Sequence, residues 1–358
     1  MRRIVRRKRD PNAIQRKAGT GRGLSRIGLP RPQEMSNEIV VSIICNAYNH
    51  APYIRECLDS LVAQRADFAY EILVHDDAST DGTADIIREY EAKHPDLVKP
   101  VYQTENQYFR GGIARFQYPR AKGRFIALCE GDDYWTDPMK LQKQVAALEA
   151  HPEIDLCAHA ADRIDGTTGA VNARIAPADH DAVFSAEQVI AGGGMFVATS
   201  SLLYRASLND AIPPFRANRR SDYTLQIHGS LRGGMLYLSD NMSVYRHRTP
   251  GSWSMGQTDL REQRGFYERV SAMLTQLEAD TQGAYHDVIS ARIERYHARL
   301  IAHECDELVR RRDFKALLGS EYVGYYSALP LYKKCGVRLC VRFPGIYDVW
   351  ERVRDALR

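Results

Sequence analysis

Long apolar runs are missing from this 358-residue sequence. No window approaches the about 18 uninterrupted apolar residues of a membrane-spanning helix, and the arginine-rich start lacks the apolar segment of a secretory signal. Glycine-rich phosphate loops are also missing, and Asn46, Ala47, Tyr48 and Asn49 stand where a glycine fingerprint would open the first predicted helix. These absences exclude a P-loop enzyme and a dinucleotide dehydrogenase, and we expect a cytoplasmic protein without a membrane span.

Cysteines are few and scattered, which argues against a disulfide framework. Their number is odd, and several lie inside apolar strand or helix patterns, so we predict reduced core residues. The seven positions are Cys45, Cys57, Cys129, Cys157, Cys305, Cys335 and Cys340. The charged fraction of 26% and the aromatic fraction of 9% are ordinary for a globular protein, so wholesale disorder is not expected.

Positive charge is concentrated at the start of the chain. Residues 1–35 contain 11 Lys or Arg and two acidic residues, whereas the remainder contains 38 basic and 43 acidic residues. Residues 1–37 are therefore predicted to form a basic, disordered tail, either simply solvated or in contact with an anionic membrane surface. No aromatic residues interleave these charges as a base-stacking surface requires, so nucleic acid is not an expected partner.

Apolar runs typical of strands alternate with apolar stripes at helical spacing from residue 39 to about residue 150. Strands are predicted at 39–45, 72–74, 97–102 and 125–129, with helices after the first, second and fourth. Asp137 and Pro138 are predicted as the cap and the first helical position of the last of these helices. The alternation predicts an α/β fold with a mostly parallel, Rossmann-related sheet flanked by helices.

Regular alternation weakens after residue 160. Strands are predicted at 197–204 and 235–238, and the sequence becomes helical from about residue 260. The predicted divisions are thus 38–160, 161–258 and a helical region at 259–358. The last segment mixes Lys and Arg with apolar residues, which predicts either a packed closing helix or a membrane-surface element. Its apolar residues are Val337, Leu339, Val341, Ile346, Val349 and Trp350.

Three polar turns directly follow three predicted strands: 46–49, Asp76 with Asp77, and Glu130 with Asp132 and Asp133. Ligands of open α/β sheets bind outside the carboxyl ends of the strands, so this edge is the predicted site. Asp76 and Asp77 could instead only satisfy turn amides or cap a helix. The three crowded carboxylates after the fourth strand favour a divalent metal, Mg²⁺ or Mn²⁺, because uncompensated carboxylates repel one another.

These turns resemble inverting family 2 glycosyltransferases of the GT-A fold over about residues 39–255. The run VHDDASTDGT at 74–83 is similar to the family's base-binding turn. The first predicted strand, with the turn at 46–49, is similar to the family's opening nucleotide-binding segment. The resemblance implies that Asp77 contacts the nucleobase and that Ala47 and Tyr48 line its pocket. Asn49 and Asp76 are implied in donor binding with them. Residues 38–160 would then bind the nucleotide sugar, and 161–258 the acceptor.

The stretch EGDDYWTDP at 130–138 resembles the family's acidic metal motif, with Glu130 where many members carry Asp. The resemblance makes Asp133 and Asp132 the candidates for metal and for ribose or diphosphate contacts, and Glu130 is implied in donor binding with Asp132. Asp222 lies in the region where the family places its catalytic base. Without that likeness, a helix cap would be the ordinary interpretation of Asp222.

The segment VYRHRTPGSWS at 244–254 resembles one found in family members that build surface polysaccharides. There an aromatic residue and a histidine approach the donor. Arg248 occupies the usual histidine place and His247 precedes it, so His247 is either a metal or diphosphate contact or a plain loop residue. Trp253 either shapes the sugar pocket or belongs to the core.

The resemblance implies a metal-dependent transfer of sugar, with inversion, from a nucleotide-diphosphate donor to a hydroxyl of a glycan or lipid-linked acceptor. UDP is the expected nucleotide, surface polysaccharide synthesis the expected setting, and the inner face of the membrane an expected place of work. Two alternatives stay open. A nucleotidyltransferase would also use metal and acids, but it would carry a glycine-rich basic loop; a non-catalytic carbohydrate- or nucleotide-binding scaffold would have little reason to keep the acidic cluster.

Overall fold

A computed structural model of the chain describes residues 38–108, 112–249, 260–343 and 346–347. The described residues belong to one compact unit, Ser36–Arg358. The predicted tail at 1–37 lies outside the described residues, as do Trp253, Val349 and Trp350. The predictions made for these positions therefore stay predictions.

The described part of the chain contains strands that all join one sheet. They are β1 (Ile39–Ala47), β2 (Ala69–Asp76), β3 (Val98–Tyr102), β4 (Phe125–Leu128), β5 (Tyr134–Trp135), β6 (Leu156–Asp165), β7 (Val171–Ile175), β8 (Ala182–Phe184), β9 (Leu203–Arg205) and β10 (Met235–His247). Their order is β3-β2-β1-β4-β9-β6-β10-β5, with β7 beside β6 and β8 beside β10. The longest ladders, β1 with β2 and β6 with β10, are parallel, and the antiparallel pairings are short.

Helices cover both faces of this sheet and make up most of the chain after residue 259. They are α1 (Ile54–Val62), α2 (Thr83–Lys93), α3 (Ala114–Gln117), α4 (Lys140–Ala150), α5 (Ala186–Gly192), α6 (Pro214–Ala217), α7 (Asp222–Ser230), α8 (Leu260–Asp280), α9 (His286–Arg310), α10 (Val323–Ala328) and α11 (Leu331–Arg342). The predicted α/β class with a helical C-terminal region is confirmed.

Strand β1 lies between β2 and β4 and separates two hydrophobic cores. Ile43 belongs to the core that α1, α2 and α4 cover, and its neighbour Ile44 belongs to the core that α5, α7, α8 and α9 cover. Successive side chains of a strand point to opposite faces, so a strand buried on both sides must be apolar without interruption. This requirement explains the unbroken apolar run in the sequence.

Two sequence predictions in this region were wrong in detail. Helix α4 begins at Lys140 and not at Pro138, because Asp137 closes a turn first: its Oδ1 accepts from the amide of Met139 at 2.8 Å. The strand predicted at 197–204 is confined to Leu203–Arg205 and follows a 3₁₀ turn at Thr199–Ser201. Serine and threonine hydroxyls compete for backbone groups, and the Ser201 hydroxyl donates to the Ala198 carbonyl at 2.6 Å.

The last described helix, α11, buries only one stripe. Val337 and Cys340 are buried against α9 and the turns that follow it, whereas Leu339 remains 47% exposed. Cys335 is exposed too, which corrects its prediction as a core residue; the other six cysteines are buried and free. Among the described helices, none combines the length and the apolar character needed to cross a membrane.

Strand β6 crosses the predicted division at 160/161. The two predicted halves therefore share one continuous sheet, joined by the pairing of β4 with β9 and of β9 with β6. This continuity fixes the carboxyl ends of the first strands relative to the loops of the second half, where the remaining candidate residues lie.

Candidate active site at the strand ends

The carboxyl ends of β1, β2 and β4 lie side by side. Ala47 pairs in register with Asp76, and the Gly131 amide donates to the Asn46 carbonyl at 2.8 Å. The Asn46 side chain also donates to Glu130 Oε1 at 3.2 Å. The three polar turns singled out in the sequence therefore meet at one edge of the sheet.

Both acids of the second turn are buried and hydrogen-bonded by backbone amides. Asp77 accepts from the amides of Gln107 at 2.7 Å and Tyr108 at 3.1 Å, and Asp76 accepts from the Ser79 amide at 3.4 Å. The other carboxylate oxygen of Asp76 is buried without a partner among the described residues, and burial raises the pKa of Asp76. Satisfaction of turn amides thus accounts for both acids, and their contact with a donor stays a prediction.

Asn49 holds the first turn against the second. Its backbone φ of 54° lies in the left-handed region, which asparagine tolerates better than most residues. Its Oδ1 accepts from the Thr80 amide at 2.9 Å, and its own amide donates to Ser79 Oγ at 2.9 Å. Tyr48, directly before it, is 40% exposed at the edge, whereas Ala47 is buried.

Asp132 and Asp133 are each bonded through one carboxylate oxygen. Thr249 Oγ1 donates to Asp132 Oδ2 at 2.8 Å, and the Arg246 amide donates to Asp133 Oδ1 at 2.9 Å. Within the described residues, no hydrogen bond reaches the second oxygen of either group. The pair therefore keeps one unbonded oxygen on each carboxylate.

Burial and mutual repulsion disfavour the ionised form of these carboxylates. Burial and the neighbouring Asp132 raise the pKa of Asp133 well above its ordinary value, and the same two causes raise the pKa of Glu130 to about 8. A cation would relieve this repulsion. No cluster of three or more His, Cys, Asp or Glu side chains suited to a metal exists in the described part of the chain. Magnesium sites, however, commonly use one or two carboxylates together with substrate phosphates.

Arg246 fastens the acidic turn from strand β10. Its guanidinium donates to the Asp132 carbonyl at 2.5 Å and pairs with Glu56, and it lies over the rings of Tyr53 at 5.1 Å and Tyr134 at 4.7 Å. The sequence prediction missed this residue, although it lies inside the segment 244–254 that the prediction had singled out. The signal that was missed is the alternation of side chains along β10, which places Arg246 on the opposite face of the sheet from Tyr245 and His247.

Tyr245 and His247 share the other side of β10, with ring centroids 6.3 Å apart. Burial and the charges of Asp133, Asp132 and Asp222 raise the pKa of Tyr245, so its hydroxyl lies within the field of all three acids. Burial and the charges of Arg163 and Arg248 lower the pKa of His247. The described residues show no contact between His247 and the acidic pair, and its role as a metal ligand stays a prediction.

Asp222 is the first residue of α7, and the cap is its neighbour Ser221, whose side chain forms a capping box with Thr224. Asp222 Oδ2 accepts from Thr199 Oγ1 at 2.9 Å, and Oδ1 accepts from the Tyr223 amide at 2.7 Å. Burial raises the pKa of Asp222, and its charge acts on both Glu130 and Tyr245. The helix-cap interpretation therefore belongs to Ser221, and Asp222 faces the acidic edge.

This architecture, a mixed sheet with an acidic turn at its carboxyl edge and helices on both faces, is that of the GT-A glycosyltransferases. The model of the family described as Glycosyl transferase family 2 matches residues 42–221, half of the chain. The chain belongs to this family.

The chain is also similar to several relatives and solved structures. An uncharacterized protein of Mycobacterium tuberculosis is 39% identical over 244 residues, which cover 67% of this chain and 67% of that protein. An uncharacterized glycosyltransferase of Nostoc is 27% identical over 212 residues, 58% of this chain and 64% of the relative. Among solved structures, S. aureus TarS 1–349 in complex with UDP-GlcNAc superposes with a TM-score of 0.56 at 20% identity, over 83% of this chain and 78% of TarS.

Proposed function

We propose that this glycosyltransferase moves a sugar from a nucleotide-diphosphate donor, a UDP-sugar, to an acceptor hydroxyl with inversion at the anomeric carbon. The observation that supports the proposal most is the Asp222 carboxylate, which Thr199 holds at 2.9 Å and whose charge acts on Glu130 and on Tyr245. A single displacement requires one base for the acceptor hydroxyl, and Asp222 is the carboxylate proposed for it.

The donor would bind at the strand ends. Asp77 would contact the base and the exposed Tyr48 ring would line its pocket, while Ala47, Asn49 and Asp76 form the surrounding turns. Supporting this choice of donor, TarS, which shares the fold, was solved with UDP-GlcNAc and also with UDP. Trp253 and His247 are kept as candidate contacts of the donor sugar and diphosphate.

Asp222 would act as the base. It would take the proton of the acceptor hydroxyl, whose oxygen attacks the anomeric carbon while the bond to the diphosphate breaks and its electron pair leaves on the diphosphate. Burial raises the pKa of Asp222 and so makes it a stronger base than an exposed aspartate. The hydroxyl of Thr199 fixes the carboxylate at 2.9 Å, which limits the orientations it can adopt.

Asp133, with help from Asp132, would hold a divalent ion, Mg²⁺ or Mn²⁺. The residues fit such an ion because each carboxylate keeps an oxygen without a hydrogen bond from a described residue, and because burial and the neighbouring Asp132 and Glu130 raise the pKa of Asp133. When bound, the ion would supply Lewis-acid stabilisation of the charge on the departing diphosphate.

The acceptor would be a glycan or a lipid-linked saccharide of a surface polysaccharide. A Bacillus subtilis relative named as a putative teichuronic acid biosynthesis glycosyltransferase supports this setting, at 37% identity over 107 residues.

Work at the inner face of the membrane would suit α11, which exposes Leu331 and Leu339 beside Arg338. In flotation with anionic vesicles, full-length protein should rise with the lipid; protein that stays at the bottom contradicts the membrane contact.

Calorimetric titration of UDP, GDP and CDP, each with and without Mn²⁺, tests the proposal. We expect metal-dependent binding of UDP by the wild type, its loss in Asp133→Asn, and its retention in Asp240→Asn, which changes an exposed aspartate outside the site. If GDP or CDP binds in place of UDP, guanine or cytosine is the nucleobase of the donor. If folded protein binds no nucleotide, the donor site does not exist and a scaffold role takes its place.

A further inference from the structure

Two arginines lie beside the candidate base and outside the machinery described above. Arg219 lies three residues before Asp222, in the loop that leads into α7, and is half-buried, with its guanidinium over the Phe266 ring at 5.7 Å. Arg269 lies three residues after Phe266 in α8, and residues at this spacing are neighbours on a helix surface. The Phe266 ring therefore brings two guanidinium groups from different elements together.

Neither guanidinium forms an ion pair with a described carboxylate, although the charge of Asp222 acts on Arg219. Other arginines that the fold covers are hydrogen-bonded: Arg205 donates to the Ile154 carbonyl at 2.9 Å, and Arg216 donates to the Leu208 carbonyl at 2.8 Å. In contrast, the side chains of Arg219 and Arg269 form no hydrogen bond or ion pair with any described residue. Burial and the charge of Arg269 lower the pKa of Arg219. Like charges held together cost free energy, and a bound anion would offset that cost.

The arginines, the base and an exposed aromatic ring surround the same place. Tyr108 is 54% exposed, and the charges of Glu130, Arg219, Asp222 and Arg269 all act on its hydroxyl. Aromatic rings offer sugars an apolar face, and guanidinium groups match the planar geometry of carboxylates and the oxygens of phosphates. The combination fits a charged saccharide better than a neutral one.

We propose that Arg219 and Arg269 bind an anionic group, a phosphate ester or a carboxylate, on the saccharide acceptor of this enzyme. The inference rests on the proposed function, because it takes Asp222 as the base that receives the acceptor hydroxyl. The anion would lie near the reacting hydroxyl, since Arg219 is in the loop that leads into α7. The pair would thus select acceptors that are charged close to the linkage.

Calorimetric titration of glucose 6-phosphate, glucuronate and glucose into protein saturated with UDP and Mn²⁺ tests the proposal. We expect at least one of the anionic sugars to bind at least about tenfold more tightly than glucose. The one that binds more tightly shows whether the site prefers a phosphate ester or a carboxylate. The double variant Arg219→Gln/Arg269→Gln should lose this preference. Arg220→Gln, which changes the exposed next residue, should keep it.

Equal binding of charged and neutral sugars by the wild type would overturn the proposal, as would an unchanged preference in the double variant. The double variant should bind UDP like the wild type, which separates this failure from that of the donor site. If the wild type binds no UDP, the same titration without nucleotide still tests whether the arginines hold an anion. A second double variant, Arg219→Lys/Arg269→Lys, keeps the charges and should keep part of the preference, whereas a merely structural role of the guanidinium groups would give the same loss for lysine and glutamine.

Discussion

The proposed donor edge, formed by the three polar turns, and the proposed acceptor side, formed by Arg219 and Arg269, differ in how their charges are held. At the donor edge every acid of the three turns has a hydrogen bond from the chain itself: Asp76, Asp77, Glu130, Asp132 and Asp133. On the acceptor side, Arg219 and Arg269 have none within the described residues. The proposed donor edge is therefore organised by hydrogen bonds within the chain, whereas the two arginines would leave positive charge for an acceptor anion to neutralise.

The difference follows from the elements that carry the residues. The three donor turns follow β1, β2 and β4, and the parallel ladders of these strands hold the turns side by side. The arginines project from a loop and a helix that meet through the Phe266 ring. Side chains on packed strand ends are positioned more accurately than side chains on loops, so the two regions should respond differently to substitution.

The largest effect is expected at Asp222, the proposed base. Asp222→Asn removes the base but keeps the shape of the side chain and the acceptor for the Tyr223 amide, while the bond with Thr199 Oγ1 reverses its direction, so transfer should fall about 10²–10⁴-fold. UDP affinity should not change, because Asp222 lies off the donor edge. The measurement is the transfer rate beside a calorimetric titration of UDP, with Asp210→Asn, an exposed aspartate, as the matched control. Near wild-type transfer by Asp222→Asn would exclude it as the base.

A buried lysine, Lys140, tests the comparison with a basic group in place of the acids. Lys140 is fully buried, donates to Gln144 Oε1 at 2.8 Å and lies 3.9 Å from the Trp135 ring centroid. Burial lowers its pKa from 10.5 to about 7. Between these values the unfolded chain binds more protons than the folded one, so stability falls as the pH decreases, by at most about 1.4 kcal/mol per pH unit.

Lys140→Met should therefore remove this dependence. As the pH rises from about 7 to about 9, the free energy of unfolding of the wild type should increase relative to that of Lys140→Met, measured by urea denaturation. Lys143→Met is the matched control on the same helix, because Lys143 is partly exposed and pairs with Asp137 at 2.8 Å. A constant difference at both pH values would mean that Lys140 keeps its charge when buried.

Gly131 marks how closely the donor turns are packed. A Cβ at this position would lie 2.9 Å from His50 Nδ1, 3.0 Å from Ile54 Cδ1 and 3.1 Å from Ala47 Cβ. Gly131→Ala should therefore cost about 1–3 kcal/mol of stability and weaken UDP binding. The control is Gly324→Ala in α10, where a Cβ meets nothing within 4 Å and should stabilise the protein by about 0.5–1 kcal/mol. Equal unfolding midpoints of the two variants in urea would show that the donor turns are looser than the distances indicate.

The donor half was largely predictable because its signals are local. Unbroken apolar runs predicted β1, β2 and β4 to within a few residues, and the rule of parallel strand ends brought Asn46, Asp76 and Glu130 to one edge. Local signals failed where a nearby hydroxyl competed with the ladder, as at Ser201, and where Asp137 closed a turn before its helix. The resemblance to family 2 supplied what periodicity could not, namely the nomination of Asp222.

The partners across the site could not be predicted, because they are far apart in the sequence. Arg246 reaches the Asp132 carbonyl over 114 residues, and Thr199 reaches Asp222 over 23. Nothing in the pattern around Arg219 indicates that Phe266 and Arg269 will pack against it. Such contacts depend on the order of strands and helices in space, which hydrophobic periodicity alone does not specify.

The smallest effect is expected at Asn49, which holds the first donor turn against the second. Asn49→Gly keeps the left-handed backbone but removes the bond to the Thr80 amide, so it should cost about 1 kcal/mol of stability. Asn49→Ala should cost about 1 kcal/mol more, because its Cβ disfavours a φ of 54°. If organisation before binding is what the donor edge provides, UDP affinity should fall in the same order as urea stability. Loss of stability with unchanged affinity would show that the donor itself orders the turn, and the contrast with the acceptor side would then be one of degree.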